Sequence, residues 1–415
     1  MPRSLQLALT AAVLLTGVWV YRSTSSTTST TPAATTPATT QNSNAWLEIS
    51  RPEFEHNLAE VRSLVGPKTQ ICAVLKADAY GHGISLLMPS VIKAGIPYVG
   101  ITSNEEAAAV RASGYAGKIM RLRAATRSEI EAALPYQVEE LLGDLELAQE
   151  ASEIATAHHT KLRFHFALNS AGMSRNDLEL KTDAGKADAL KMLQLPGLKC
   201  VGIMTHFPTE DIADVRAGLD TFNSDSTWLI AAGKLDRSQL LLHTANSYAT
   251  LAVPESRLDL VRTGSILYGD GFTSHTEFHR VMTFKSRIAS VNSYPAGNTV
   301  AYDRTYKLKR DSQLANIPVG YSDGYRRVFS NKGYVLIRGH RCPVVGRVTM
   351  NTIMVDVTDF PDVQPGDEVV LFGKQGTEQI TQAELEAAAG VMLLDMSTVW
   401  AQANPKFVAT DPPAK

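Results

Sequence analysis

The sequence comprises 415 residues, of which 44% are hydrophobic and 20% are charged, and its formal net charge is −2. A chain of this length and composition is ordinary globular material and is long enough for two domains. It has no basic stripe or acidic block, which argues against a nucleic-acid partner and permits a small substrate without strong charge.

The amino-terminal segment has the pattern of an export signal. Arg3 precedes a mostly apolar run from Leu5 to Tyr21, as in the charged and hydrophobic regions of a secretory signal peptide. We therefore predict that residues 1–22 are a signal peptide or a membrane anchor, with cleavage favoured, and that the protein is periplasmic. Residues 23–45 are predicted to be a linker, because their Ser/Thr/Pro-rich composition buries too little apolar surface to become ordered.

Short apolar runs then alternate with amphipathic segments. In residues 105–113 and 145–158, apolar side chains recur at three- and four-residue spacing, which is typical of helices. Eight strand and helix units predict an α/β fold, a (β/α)8 TIM-like barrel over residues 46–283, with catalytic groups at the carboxyl ends of its strands. The predicted strands are 71–75, 98–102, 118–122, 137–141, 162–168, 200–205, 240–243 and 260–267.

The remaining residues, 284–415, show strand-like runs separated by Gly, Pro, Asn and Asp, which predicts a mainly β C-terminal domain. One helix is predicted there over 382–389, with Thr381 as its N-cap and Glu384 three residues later. The three cysteines, Cys72, Cys200 and Cys342, lie in apolar contexts and are predicted to be buried free thiols. No cysteine or histidine spacing typical of a metal site is present.

A lysine directly follows the first predicted barrel strand. After the apolar residues 71–75 come Lys76 and a small polar loop that contains Tyr80, Gly81 and Gly83. A buried ammonium is costly unless its pKa falls or the amine condenses with a carbonyl, as in Schiff-base enzymes. A lone lysine at a strand end more often extends into water, so the neighbouring residues decide between the two interpretations.

Together, residues 73–83 resemble the signature of the alanine racemase family, whose lysine carries pyridoxal 5'-phosphate (PLP). The resemblance implies that Lys76 holds PLP and that Tyr80 contacts its phosphate, while Gly81 and Gly83 would let the backbone approach the phosphate closely. Residues 243–247 and 262–265 resemble the same family at successive strand ends. The cofactor-binding residues implied there are Asn246, Ser247, Gly264 and Ser265.

Three basic side chains receive roles from the same resemblance. Arg262 would face the ring nitrogen of PLP, and because arginine keeps its proton it would not protonate that nitrogen. The resulting weak electron sink favours racemisation over side reactions. His206 would hydrogen-bond Arg262, and Arg175, in a segment similar to the family's, would contact the phenolic oxygen of PLP and the substrate.

Racemisation requires a proton acceptor on each face of the substrate α-carbon. The resemblance implies Lys76 on one face and Tyr302, from the segment 300–306, on the other. In the family this tyrosine reaches the active site of the other subunit, so the resemblance also implies a homodimer with shared active sites. Met350 would lie near the partner's substrate.

Four positions depart from the narrow family pattern. Asn169 stands near the position of a lysine that is often carbamylated, and Asn169 or a bound anion could replace that lysine as the partner of Arg175. Around the entrance, Thr349, Asn351 and Gln402 replace a cysteine, an aspartate and a tyrosine. Losing bulk and charge there favours a less discriminating pocket.

The departures and the export signal resemble the periplasmic broad-spectrum amino-acid racemases. We therefore predict racemisation of several amino acids, among them lysine, arginine, alanine and methionine, and retain an alanine-specific racemase as the alternative. Three other classes of protein are less consistent with the sequence. Arg262 argues against a PLP-dependent decarboxylase, and Tyr302 argues against a non-catalytic PLP carrier. Lys76 argues against a periplasmic amino-acid binding protein.

Overall fold

The computed structural model describes residues 39–271 and 274–409. The predicted export segment, residues 1–22, lies outside the described residues, as does most of the predicted linker. Within the described ranges, no helix has both the length and the apolar character that a membrane crossing requires.

Eight parallel strands among the described residues form one sheet, and each overlaps a strand predicted from the sequence. Their runs are short and almost entirely buried, as expected for strands covered on both faces. In chain order the strands are Gln70–Val74, Tyr98–Ile101, Lys118–Arg121, Val138–Leu142, Leu162–Ala167, Leu198–Met204, Leu241–His243 and Leu260–Thr263.

The sheet closes on itself. The last strand, Leu260–Thr263, pairs in parallel with the first, Gln70–Val74. On the other side of the last strand, the backbone N–H of Asp259 donates to the carbonyl of Leu242 at 3.1 Å and that of Arg262 to Ala245 at 2.9 Å. The predicted TIM-like barrel is therefore confirmed.

Helices surround the barrel strands, and several begin with a side-chain cap. Ser103 and Thr126 each form a capping box with a glutamate three residues later. The two helices predicted at 105–113 and 145–158 are confirmed to within one residue at each end. The barrel helices are Arg51–Val65, Ile84–Lys93, Asn104–Ala112, Arg127–Ala133, Leu145–Ala157, Asp183–Gln194, Ile212–Ala232 and Ser247–Ala252.

The C-terminal part is mainly β, as predicted. The helix Gln382–Ala389 has Thr381 as its N-cap with a capping box to Glu384, and a further helix that sequence analysis missed, Leu393–Ala403, buries Trp400 against two phenylalanines. In hydrogen-bonded order the main strands are Ser290–Tyr294, Ser312–Ile317, Ile353–Asp356, His340–Val345, Tyr334–Ile337, Glu368–Gln375, Met282–Arg287, Ala45–Ile49 and Lys406–Val408. Glu378–Ile380 pairs with Glu368–Gln375, and Thr299–Val300 with Tyr306–Lys307.

The first described strand does not follow the predicted domain boundary, which assigned the residues from 46 onward to the barrel. Ala45–Ile49 pairs antiparallel with Met282–Arg287 and parallel with Lys406–Val408, so it belongs to the C-terminal sheet and not to the barrel. A mostly apolar run of five residues carries no information about which distant strand it will pair with. The two parts of the fold are consequently joined through the sheet as well as through the chain.

The cysteines have the predicted free state. Cys72 and Cys342 are buried, and burial raises the pKa of each thiol to about 12. Cys200 is also free but is only half-buried, since it lies near the start of its strand. The described residues contain no cluster of His, Cys, Asp or Glu able to hold a metal ion.

Candidate active site

A cavity of about 200 Å³ opens at the carboxyl ends of the barrel strands. All nine residues predicted to bind the cofactor line it, although they come from segments spread over most of the barrel sequence. These residues are Lys76, Tyr80, Arg175, His206, Asn246, Ser247, Arg262, Gly264 and Ser265.

The residues that follow Lys76 form a left-handed turn. Four consecutive non-glycine residues, Ala77 to Tyr80, have φ between 52° and 57°. This conformation is unfavourable for L-amino acids and persists only where surrounding contacts enforce it. It brings the Lys76 ammonium to 5.7 Å from the centre of the Tyr80 ring, so both side chains face the cavity. Sequence analysis missed the turn because alanine and tyrosine do not predict positive φ.

Asp78 holds this turn in place from two sides. Its carboxylate accepts a hydrogen bond from the backbone N–H of Ile84 at 2.7 Å and forms an ion pair with Lys406 at 2.8 Å. Lys406 lies on the last strand of the C-terminal sheet. The turn that positions Lys76 is therefore tied to the other domain.

We expect Asp78→Ala to lower the free energy of unfolding by about 1 to 3 kcal/mol, because it leaves the Ile84 N–H without its acceptor and the Lys406 ammonium without its ion pair, with only the carbonyl of Ala401 as partner among the described residues. Urea unfolding followed by circular dichroism measures the loss. Asp362→Ala, at an exposed loop aspartate, is the matched control. Equal stability of the two variants would contradict the bracing role.

Gly81 and Gly83 do not line the cavity, although the sequence interpretation placed them close to the phosphate. A Cβ on Gly81 would lie 2.9 Å from the carbonyl oxygen of Ser397 and 2.9 Å from the Ala401 Cβ. Gly81 is thus required for close packing of the Lys76 turn against the helix Leu393–Ala403.

The electrostatic environment of Lys76 favours its neutral amine. Burial lowers the pKa of Lys76, and the positive charge of Arg175 lowers it further, against a smaller opposing effect of Glu106. A neutral amine is the nucleophilic form that condenses with a carbonyl. The cavity also brings together three basic side chains, Lys76, Arg175 and Arg262, and the positive charge of the two arginines suits an anionic ligand.

Arg262 is buried and bonded almost entirely to neutral groups. Its Nη atoms donate to the carbonyl oxygens of Thr205, His243 and Thr244, and to ring nitrogens of His206 and His243, all at 2.9 to 3.3 Å. Burial lowers the pKa of Arg262 to about 10, so the guanidinium remains protonated at neutral pH. None of these bonds uses the Nε–H.

His206 lies beside Arg262 as predicted, with 3.3 Å between His206 Nδ1 and Arg262 Nη2. Burial lowers the pKa of His206 to about 3, and Arg262, Arg175 and Lys76 act in the same direction. The ring is therefore neutral at physiological pH. Because arginine only donates, His206 Nδ1 accepts this hydrogen bond.

Part of the cavity lining is built from small residues at two strand ends, which follow Leu241–His243 and Leu260–Thr263. Ser247 Oγ accepts a hydrogen bond from the backbone N–H of Gly264 at 3.1 Å, and Asn246 caps the helix Ser247–Ala252 through the N–H of Ala249. A Cβ on Gly264 would lie 2.3 Å from the Tyr80 hydroxyl. Only glycine therefore allows the Tyr80 hydroxyl to sit at this position.

Arg175 lines the cavity from an exposed segment, and its Nε donates to Asn176 Oδ1 at 3.3 Å. Asn169 is not its partner, contrary to one of the two sequence-based suggestions. The Asn169 amide is engaged by Ser174 and by Glu179, to which it donates at 3.0 Å. The amide caps its own loop, because its short side chain reaches neighbouring backbone groups first.

Two of the predicted residues lie outside this cavity. Tyr302 is 67% exposed and Met350 is 54% exposed. Tyr302 lines a separate surface groove of about 510 Å³ that also includes Thr349. Gln402 is exposed and does not line the Lys76 cavity either. The chain by itself therefore does not bring Lys76 and Tyr302 together.

Five further residues line the Lys76 cavity that sequence analysis did not select: Val74, Leu122, Met204, Glu210 and Tyr248. Glu210 is the one acidic residue of the lining within the described chain. The only feature of the sequence that could have indicated Glu210 is its position shortly after the end of a predicted strand.

Comparison with known proteins places this cavity in a family. Residues 49–271 match the alanine racemase N-terminal domain, and residues 281–408 match the alanine racemase C-terminal domain. The chain belongs to the alanine racemase family. The family assignment suggested by the Lys76 segment is therefore confirmed, and with it the order of the two domains.

Individual relatives extend this result. The chain is 60% identical to a broad specificity amino-acid racemase of Pseudomonas taetrolens over 89% of this chain and 90% of that protein. It is 50% identical to a lysine racemase of Proteus mirabilis over 88% and 89% of the two chains. The crystal structure of alanine racemase from Bacillus anthracis with bound L-Ala-P superposes with a TM-score of 0.82 at 26% identity, covering 91% of this chain and 97% of that one.

Proposed function

We propose that the protein is a PLP-dependent amino-acid racemase of broad specificity, acting on lysine, arginine, alanine, methionine and related amino acids. The observation that carries the proposal is the convergence of the nine predicted cofactor residues on one cavity beside Lys76. The relatives at 60% and 50% identity support broad specificity over the alanine-specific alternative.

The cavity fits PLP in three respects. The lowered pKa of Lys76 suits an amine that joins an aldehyde. The hydroxyl groups of Ser247 and Ser265 line the cavity beside Gly264 and would be donors for a phosphate. The Nε–H of Arg262, which takes no part in the hydrogen bonds to protein groups, would be left for the ring nitrogen. When bound, PLP withdraws electrons from the α-carbon of an attached amino acid.

Different residues of the chain would then bind the cofactor and transfer the α-proton. Arg262 would hold the ring nitrogen and keep its own proton, which would limit electron withdrawal and favour prompt reprotonation of the α-carbon. Arg175 would hold the phenolic oxygen of PLP and the substrate carboxylate through its positive charge. Lys76 exchanges the α-proton on one face, and Tyr302 exchanges it on the other.

We further propose that the active enzyme is a homodimer in which Tyr302 and Met350 complete the partner's site. Tyr302 and Met350 are both largely exposed and lie outside the Lys76 cavity of their own chain. Tyr302 can then serve as the second base only in the site of a second copy of the chain. An isologous dimer would complete two such sites at once.

The export pattern of residues 1–22 supports a periplasmic location after cleavage of this segment. Amino-terminal sequencing of the protein recovered from the periplasmic fraction tests this. A mature chain that begins near residue 23 is the expected result, and an intact amino terminus in the membrane fraction would instead identify an anchor.

Racemisation by the purified protein with PLP, measured by chiral chromatography on a panel of L-amino acids, tests the proposed function. The panel contains alanine, lysine, arginine, methionine, serine and aspartate. We expect turnover of the basic and long side chains as well as of alanine. Turnover of alanine alone would establish the alanine-specific alternative, and turnover of none would overturn the proposal.

Glu210 offers a test of how basic substrates are accepted. We expect Glu210→Gln to raise KM for L-lysine and L-arginine about two- to five-fold, because an exposed carboxylate attracts a substrate cation by less than about 1 kcal/mol. KM for L-methionine, which has similar length without the charge, is the control. A matching rise for methionine would show that Glu210 acts by shape instead.

A further inference from the structure

A chain of polar side chains crosses the interior of the barrel and ends at Arg262. Glu139 Oε2 lies 2.9 Å from His165 Nε2, His165 Nδ1 lies 2.9 Å from His243 Nε2, and His243 Nδ1 lies 2.9 Å from Arg262 Nη1. At the far end Arg163 donates to the second oxygen of Glu139 at 2.6 Å. Barrel interiors are usually filled by branched apolar residues.

Four of these groups are buried, whereas Arg163 at the far end is partly exposed. His165 and His243 are 0% exposed, Glu139 is 2% exposed and Arg262 is 5% exposed. The neighbouring strand makes room for them, because a Cβ on Gly202 would lie 2.1 Å from His165 Nδ1. A buried carboxylate and two buried imidazoles are stable there only if every hydrogen bond is satisfied.

The chemistry of the two end groups, Arg262 and Glu139, determines which atom donates in each hydrogen bond between them. Arginine can only donate, so His243 Nδ1 accepts and its proton lies on Nε2. That proton is donated to His165 Nδ1, so the His165 proton also lies on Nε2 and is donated to the carboxylate, which can only accept. A doubly protonated His165 would direct an N–H at the N–H of His243. Both imidazoles are therefore neutral, with Nε2 protonated.

We propose that Glu139 is a positioning residue for Arg262: through His165 and His243 it enforces the tautomers that hold the guanidinium with its Nε–H directed into the cavity. The proposal rests on the proposed function, in which that N–H meets the PLP ring nitrogen. Among the described residues Arg262 has no carboxylate in direct contact. Glu139 supplies the buried negative charge at the other end of the chain.

Nitrogen-15 NMR of the imidazoles in the full chain, before and after addition of PLP, tests the tautomers directly. The protein has ten histidines, and single substitutions assign His165 and His243. We expect both rings to be neutral with Nε2 protonated in each spectrum. An imidazolium or an Nδ1-protonated ring at either position would overturn the proposal. This measurement stands even if the protein proves not to be a racemase.

Glu139→Gln tests the positioning role. Glutamine keeps the size of the side chain but can donate as well as accept hydrogen bonds. The donor and acceptor roles of His165 and His243 are then no longer enforced. We expect an Nδ1-protonated population at His165 or His243, and about a ten- to hundred-fold lower kcat for L-lysine with little change in KM. Glu139→Asp keeps the carboxylate and should retain the wild-type tautomers.

Glu140→Gln is the matched control. Glu140 neighbours Glu139 on the same strand, is equally buried, and pairs with Arg121 at 2.8 Å outside the chain that leads to Arg262. This variant should lose stability but keep both tautomers. If Glu139→Gln and Glu140→Gln lower kcat equally with unchanged tautomers, Glu139 has only a structural role and the proposal fails.

Discussion

Replacing Lys76 with alanine removes both the attachment of PLP and one of the two bases, and we expect racemisation to fall by more than about 10⁴-fold. The wild-type protein should show visible absorbance of bound PLP, which borohydride abolishes while it labels the chain permanently. Lys76→Ala should show neither the protein-bound absorbance nor the label. Absorbance spectroscopy and mass spectrometry of the reduced protein measure both.

Lys118→Ala is a close control for this variant. Lys118 also places its ammonium above a tyrosine ring, at 5.2 Å from the centre of Tyr98, compared with 5.7 Å for Lys76 and Tyr80. It begins a barrel strand, whereas Lys76 follows the end of one. Its replacement should leave PLP labelling intact. Labelling of Lys118 or of any lysine other than Lys76 would contradict the assignment.

Replacing Tyr302 with phenylalanine should separate cofactor binding from proton transfer. We expect PLP absorbance to be unchanged, because Tyr302 lies outside the Lys76 cavity of its own chain. Racemisation should fall about 10²- to 10⁴-fold through loss of one base. In heavy water, proton NMR should still show exchange of the α-proton of one enantiomer without its inversion.

The same variant tests whether active sites are shared between subunits. Mixed dimers of Lys76→Ala and Tyr302→Phe contain one site with both changes and one site with neither, so co-expression should restore activity that neither variant has alone. Tyr334→Phe, an exposed tyrosine of the same domain, should be fully active. Failure of co-expression to restore activity would contradict a Tyr302 supplied by the partner.

Much of the barrel could be predicted because its signals are local. A buried parallel strand appears as a short apolar run whatever it pairs with, and an amphipathic helix shows its three- and four-residue spacing. The eight strands and the helix Gln382–Ala389 were found in this way. The helix Leu393–Ala403 was missed, since two exposed apolar residues, Met392 just before it and Val399 within it, obscure its amphipathic pattern.

The candidate site was predicted from short motifs, and the errors arose where a motif does not specify its packing. The glycines after Lys76 were interpreted as phosphate contacts, whereas Gly81 packs against a helix more than 300 residues later in the chain. Asn169 was suggested as the partner of Arg175, whereas its amide caps its own loop. Both contacts depend on residues that a short sequence motif does not specify.

Sequence alone determined the repeated strand and helix units, the family and the set of residues around Lys76, because periodicity and motif are properties of contiguous residues. Only the tertiary structure decided three features: the pairing of Ala45–Ile49 with the C-terminal sheet, the left-handed turn braced by Lys406, and the chain from Glu139 to Arg262. Each joins segments far apart in sequence. Their hydrogen bonds are satisfied only when burial forces those segments together, which composition and spacing do not encode.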